Sequence, residues 1–391
     1  MKVLNRRVVI TGRGVVSARG NSFEDTWAAV GRHERADGRI TSFDASGFSQ
    51  DRGAEVVGFD PRPHFRQPKA LKLTDRTTQF AVAAASMALR QAEWPDDHAL
   101  SDRLGVLIGV SGSDHQAQEV ARALRSDDEP VPVGNIPVFA DCIVSRLNPL
   151  WLLINLPNMP SAHVAIQLGA RGPNSTVMTD WVAGSQAIGE AADWIRAGEA
   201  DAVLAGGADT AIQPFALAAY DQAGLLTAAP NERPQFVPGE GAAVLLLEER
   251  AHAIRRGATI LGEIAGYASA SSPADSGRSA LERTMEAALS EAGWQASDVS
   301  AIALASREGS PLGEQETAAI HRTFGAHAHG LVSVDYQPAV GHPLAALGPI
   351  SLCLLLGAAT GTHGLICNAA GFSGQAVTLA VRPSPTSAAA P

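Results

Sequence analysis

The chain has 391 residues, more than one hydrophobic core normally organises, so two core-sharing halves are expected. With 46% hydrophobic and 18% charged residues the composition excludes a disordered polymer, and no apolar run is long enough for a membrane helix. The net charge of -10 argues against a nucleic-acid or anionic-membrane partner, although a basic patch could still receive an acidic carrier protein.

The N-terminal residues 1–7 lack the apolar centre of a signal peptide, which implies a cytoplasmic protein. Cys142, Cys353 and Cys367 show no metal-like spacing; they read as reduced, buried thiols, and no metal or cofactor is called for.

Taken in order, Arg7 to Ser17 is a β-branched run broken by glycines, which predicts a buried strand entering a turn. Gly12 and Gly14 lack the third glycine and the directly following helix of a dinucleotide loop. A short helix is predicted over Phe23 to Val30, an Ala-rich helix preceded by Asp75 to Phe80 and running through about Gln91, and a second buried strand at Gly105 to Val110. The polar run Arg122 to Glu129 reads as solvated. From Asn148 to Pro160, apolar residues at helical spacing line an interface or tunnel wall, or alternatively belong to ordinary core.

Gly172-Pro173-Asn174 opens a turn, a β-branched run follows, and a sharp bend after Thr179 feeds a helix ending at Gly198. On that helix Ala183, Ala187, Ile188, Ala191 and Ile195 form one small-residue face suited to deep packing. A strand-to-helix elbow of this kind raises one side chain into a cavity beside backbone N–H groups. Here that residue is Trp181, whose indole offers one N–H donor and no nucleophile. A strand then runs from Asp201 to Gly206, and Phe236 to Glu249 follows a short loop as a further signature segment. The charged segment Glu249 to Ala258 marks the seam.

The second half repeats the plan. Strands are predicted at Thr259 to Ala265, Val299 to Ala305, Leu331 to Val334, Gly364 to Cys367 and Ala376 to Val381. Helices are predicted at Arg278 to Ala292, Gln315 to Phe324 and after His342, and residues 383–391 form a frayed, disordered tail. Strands and helices alternating in two runs imply a layered α/β core, with halves at 1–250 and 251–382.

Gly172 through Gly184, then Ala197 through Ala208, resemble the β-ketoacyl-acyl-carrier-protein synthases, condensing enzymes of the thiolase fold. The resemblance runs from residue 6 to about 382 and implies a duplicated α-β-α-β-α layered architecture. It also implies that Asp75 to Gln91 packs beneath the elbow and that Asp201 to Gly206 lies at the dimer interface. Family chemistry uses a Cys at the elbow to hold the acyl chain, two His to stabilise charge, and a Lys supporting the second His. By ungapped matching the Cys position is Trp181. The first His position, in Ala305 to Glu314, is Ser306, the Lys position is Gln337, and the second His remains as His342.

Of four catalytic positions one survives, so no catalytic set is intact, and His342 itself has the alternative reading of a packing histidine at a helix terminus. Where such groups act as a unit, loss of the nucleophile alone removes roughly a million-fold in rate. The threonines that bond the phosphopantetheine arm correspond to Glu308 and Ser310. In the closing loop Asn368 to Gly374, the gating Phe position is Ala370, and Phe372 follows.

A branch of this family without the thiol is the chain length factors of type II polyketide synthases, and this chain resembles them, with Trp181 where most carry Gln. Its Leu150 to Pro160 segment is more like the aryl-polyene and highly reducing systems. The resemblance implies a heterodimer with an active ketosynthase, access to an acyl carrier protein through that complex, and a tunnel wall including Trp151, Leu152, Leu153, Ala370 and Phe372. Two other readings stay open: a repurposed acyltransferase using Ser306, Asp180 or His342, with no base evident beside Ser306, and a homodimeric scaffold without catalysis.

Overall fold

A computed structural model describes residues 6–95, 101–112, 120, 123, 135–226, 236–272 and 279–385. Apart from Ala123, the polar run 122–129 lies outside the described residues, as do the loop preceding Phe236, the last six residues and residues 1–5.

Ten strands form one sheet, numbered here β1 (Val8–Val16), β2 (Leu104–Gly109), β3 (Asn174–Val177), β4 (Ala202–Thr210) and β5 (Glu240–Glu249) in the first half. The second half supplies β6 (Gly262–Ser271), β7 (Val299–Ala303), β8 (Val332–Val334), β9 (Gly364–Ala370) and β10 (Gln375–Pro383). Across the sheet the order is β8-β7-β9-β10-β6-β1-β5-β4-β2-β3. Within each half the sequence of neighbours is therefore third, second, fourth, fifth, first. Directions repeat too: β2 is parallel to β3 and β4, as β7 is to β8 and β9, while β5 and β10 run antiparallel to their neighbours. The chain is a duplicated unit, and the copies join where Val8 to Ile10 pairs antiparallel with Gly262 to Ile264.

Burial alternates along the strands and sorts them into layers. Val203 and Leu245 face inward onto helices Ala183–Ala197 and Leu347–Ala358, together with Cys367 and Leu379 from the second half. Leu204 and Leu246 face outward under helices Arg76–Gln91 and Met159–Leu168. Ile302 and Ile366 face outward under Ala280–Ala292 and Pro311–Phe324. The five layers are helix, sheet, helix pair, sheet, helix. Leu347–Ala358 is apolar all round because it is enclosed on all sides, and its residues 347–357 are all buried.

Glycine permits the close approaches. A Cβ on Gly12 would stand 2.1 Å from the Ala88 carbonyl oxygen and one on Gly14 2.0 Å from that of Ala84, so these glycines seat helix Arg76–Gln91 on β1. At the centre, a Cβ on Gly184 would fall 2.1 Å from the Ala345 carbonyl oxygen. The seam segment folds as helix Arg250–Arg255, after which Arg256 closes on the fully buried Glu248 at 2.6 Å.

Three expectations are corrected. The strand beginning near Asp201 is not an interface strand: β4 is hydrogen-bonded between β2 and β5 and buried throughout. The free outer position on that side belongs to β3, whose first two residues are exposed. Helix Arg76–Gln91 does not lie beneath the elbow but on the opposite face of the first-half strands, because its Ala/Phe face fits the outward side chains of β1, β4 and β5. The strand expected at Thr259 to Ala265 runs instead from Gly262 to Ser271, held in register by β10.

Candidate functional site

After β3 the backbone bends at Thr179 (φ -125°, ψ 46°), Asp180 takes a positive φ of 57°, and one 3-10 turn leads into helix Ala183–Ala197. Asp tolerates this left-handed position better than most residues. Its carboxyl accepts a hydrogen bond from Ser373 Oγ at 3.4 Å, and burial pushes it above the usual carboxylate range. Asp180 thereby ties the elbow to the closing glycine loop.

Trp181 is raised by this turn into an aromatic cluster and is only 8% exposed. Its ring stacks on Phe236 with centroids 5.6 Å apart, and lies 4.4 Å from His342 and 6.1 Å from Phe372. The apolar bulk of the indole is thus accommodated. Between Trp181 and the central layer, bounded by Leu344, Leu347 and Gly348, only about 10 Å³ of space remains. In front of the indole lies a cavity of about 410 Å³.

That front cavity brings together Trp181, Ser306, Gln337, His342, Ala370 and Phe372, drawn from five separated segments. His342 is 4% exposed with its Nδ1 unpartnered, and burial lowers its pKa to about 3, so the ring is neutral at physiological pH. Gln337 donates from Nε2 to the Ala305 carbonyl at 3.2 Å, bracing the Ser306 loop with an uncharged amide.

Ser306 does have an acidic neighbour, which corrects the sequence reading. The Glu316 carboxylate accepts from the backbone N–H groups of Ala305 (3.0 Å) and Ser306 (2.8 Å) and from Asn368 Nδ2 (3.0 Å). Burial raises Glu316 above the usual carboxylate range. Three donors converge on this acid, so it serves as a brace. Ser310 lines the cavity, yet its Oγ caps helix Pro311–Phe324 by accepting from Gly313 N at 3.0 Å while donating to the Arg307 carbonyl at 2.7 Å. Glu308 is exposed, and its N–H meets Asp335 at 3.4 Å.

Trp151 and Leu153 stand apart from this cavity on the short helix Trp151–Asn155, and the Leu152 side chain lies outside the described residues. Leu153 is 45% exposed, and the neighbouring helix Ile136–Arg146 has no buried residue, so this apolar stretch is not core. The sequence reading missed Tyr220, Phe236 and Glu316. Phe236 opens the segment already singled out as a signature, and Glu316 falls with Gly313, Ile320 and Phe324 on one buried helix face, a pattern that marks an inward acid.

The β-ketoacyl synthase N-terminal domain family matches residues 5–253, and the β-ketoacyl synthase C-terminal domain family matches residues 258–366. The chain belongs to the β-ketoacyl synthase family. Among relatives, 3-oxoacyl-[acyl-carrier-protein] synthase 2 of Staphylococcus aureus is 31% identical over 363 residues, covering 88% of this chain and 84% of the relative. The enzyme of the same name from Synechocystis sp. is 33% identical over 362 residues, covering 88% and 83%. In structure, this β-ketoacyl synthase family member is similar to the ishigamide ketosynthase/chain length factor, with a TM-score of 0.81, 26% identity and coverage of 97% of this chain and 100% of that one. It is also similar to a β-ketoacyl synthase from Burkholderia phymatum, with a TM-score of 0.80, 25% identity and the same coverage.

The indole that the elbow raises has no nucleophilic atom, and the free thiols lie elsewhere. Cys353 and Cys367 are fully enclosed in the central layer, where burial pushes Cys353 up to about 12 and Cys367 higher still, and Cys142 sits on helix Ile136–Arg146. Among the described residues no group of three or more His, Cys, Asp or Glu is placed to hold a metal. No helix among them is long and apolar enough to cross a membrane.

Proposed function

We propose that this chain is a non-condensing chain length factor that pairs with an active ketosynthase and shapes the tunnel holding the growing acyl chain of a type II polyketide synthase. The observation that carries the reading is Trp181, which occupies the nucleophile position with its indole buried among Phe236, His342 and Phe372. An evolving condensing enzyme would keep that position open. A subunit relieved of chemistry can fill it.

The exposed apolar segment supports a partner. Ile136 is 76% exposed and Val144 83%; separately, β3 leaves a free sheet edge, with Met178 51% exposed after it. An obligate interface commonly buries more than about 2,000 Å² and is apolar, which fits these side chains. The partner of stated chemistry is a ketosynthase with an intact Cys and two His, and the acyl carrier protein engages the complex. Trp151, Leu152 and Leu153 are the positions from which this chain reaches the partner's tunnel. The aryl-polyene or highly reducing class is favoured by the Leu150 to Pro160 segment. Three free cysteines suit a reducing, cytoplasmic setting.

Co-expression tests the proposal. A 1:1 complex is expected with a ketosynthase from the same biosynthetic set, and a soluble monomer indifferent to that ketosynthase would refute it. The acyltransferase alternative has one observation in its favour, the contact between Ser306 and Glu316 through the Ser306 backbone N–H. The carboxylate's three bonds leave it poorly placed to take a proton.

A further inference from the structure

A separate cavity of about 240 Å³ lies at the outer edge of the second half, between β7, β8, the start of β9 and the C-terminal end of helix Leu347–Ala358. The N-terminal end of that helix, at Leu347 and Gly348, bounds the space behind Trp181. Its 12 residues span about 18 Å, so the two sites are distinct. Ala301, Val332, Val334, Leu355 and Leu365 make the body of this outer cavity apolar. Val332, Thr360 and His363 are exposed and mark its mouth, and of the residues that line it only His363 can carry charge.

The polar end is made by backbone. The last four carbonyls of a helix have no partner within it and carry the negative end of its dipole. Here the terminal turn, Leu355 to Ala358, contains no basic residue, and Ala359 is extended (φ -69°, ψ 121°), so no left-handed cap folds back over it. The capping N–H of Ala359 goes to the Leu356 carbonyl at 3.4 Å. Among the described residues none donates to the carbonyl of Leu355, although Leu355 is only 2% exposed. A buried carbonyl in this state is uncommon. Helix carbonyls point along the axis, so those of the last turn project toward the end at which Ala358, Ala359 and Thr360 line the cavity.

We propose that this cavity is a binding site for an arylalkylamine, a primary amine carried on a small apolar ring. The ammonium group donates to the last-turn carbonyls, at the negative end of the helix dipole, and the ring packs among Val332, Val334 and Leu365. An ammonium offers three donors and no acceptor, which matches a polar end built of carbonyls. The net charge of -10 also favours a cation over an anion. Ligand pockets of this kind are mostly apolar, with a few placed polar groups that fix orientation. Nothing in the assignment depends on pairing with a ketosynthase.

The test uses the full chain, alone or in its co-purified complex, with 2-(4-bromophenyl)ethylamine as the probe. In soaked crystals, anomalous scattering should place the bromine among Val332, Val334 and Leu365. In calorimetry at pH 8 the uncharged counterpart, 2-(4-bromophenyl)ethanol, is expected to bind about tenfold more weakly, and 4-bromophenylacetate not to bind. His363→Lys sets a fixed cation at the mouth and should raise the Kd of the amine about tenfold, while Ala301→Phe, which fills the cavity, should abolish the peak. No bromine peak in this cavity, or a carboxylate that binds as tightly as the amine, would overturn the proposal. An amine Kd unchanged in His363→Lys would do the same. If Ala301→Phe does not fold, His363→Lys at its exposed position decides alone.

Discussion

The imidazole of His342 lies 4.4 Å from the indole of Trp181, centroid to centroid, with the rings inclined at 57°. The buried, neutral imidazole is thus packed against the side chain that the elbow raises, and it completes the wall around the indole. Phe236 lies 5.0 Å from His342 and closes the group.

Removing the plug should cost stability. Trp181→Ala is expected to destabilise the fold by about 3–5 kcal/mol, through lost burial and the cavity left behind. Urea unfolding of the purified protein, read as a shift in midpoint at constant slope, measures this. Trp181→Cys should also destabilise, and should yield no condensing activity, because Ser306 and Gln337 leave the new thiol without its partners. Self-sufficient condensation by Trp181→Cys would count directly against this account.

His342 gives a signed pH dependence. Its folded pKa is about 3, against about 6.5 for a solvated histidine, so the unfolded state binds the extra proton between those values. Stability contributed by neutral His342 is complete above about pH 6.5 and falls as pH drops toward 3, by up to about 1.4 kcal/mol per unit. Glu316 and Asp180, both raised, act with the opposite sign, so the comparison must be between variants. His342→Phe should flatten the acid limb of stability relative to wild type in urea titrations from pH 7 to 5. Parallel limbs would contradict the burial argument.

Much of the fold was legible because its signals are local. The face Ala183, Ala187, Ile188, Ala191 and Ile195 reads as deep packing, and each of these residues is fully buried in the central layer. What failed was topological. Ala202–Thr210 and Asn174–Val177 both read as strands, yet one is interior and the other is the sheet edge, and only the neighbour order separates them. The site shows the same division. Motif resemblance singles out Trp181, Ser306, Gln337 and His342, which line one cavity, but the Tyr220 and Phe236 contacts and the Glu316 brace arise from chain segments that meet only in three dimensions.

The apolar surface on helix Ile136–Arg146 should matter for assembly and little for the fold. Ile136→Asp and Val144→Asp sit at positions 76% and 83% exposed, where substitutions usually change stability by less than about 0.5 kcal/mol. Size-exclusion chromatography with the partner ketosynthase should show loss of the 1:1 complex, while the melting temperature of the variant chain alone stays near wild type. An unchanged complex would place the interface elsewhere.

Substitutions at Trp151 and Leu153 should change the length distribution of the product made by the complex. Trp151→Ala is expected to lengthen products by opening the tunnel wall, and mass spectrometry of the released chains reads the distribution. Product length and complex stability both untouched would remove this segment from the tunnel.

The central claim, that this chain assists condensation without performing it, is tested most directly by reconstitution with a partner ketosynthase in wild-type form and with its nucleophilic Cys changed to Ala. Elongation of a malonyl-carrier substrate is followed for each protein alone and for each complex, with intact-protein mass spectrometry of both subunits. The account predicts product from the wild-type complex, none from this chain alone or from the complex with the substituted partner, and acyl mass on the partner only. Product from the substituted complex, or acyl mass on this chain, would contradict it.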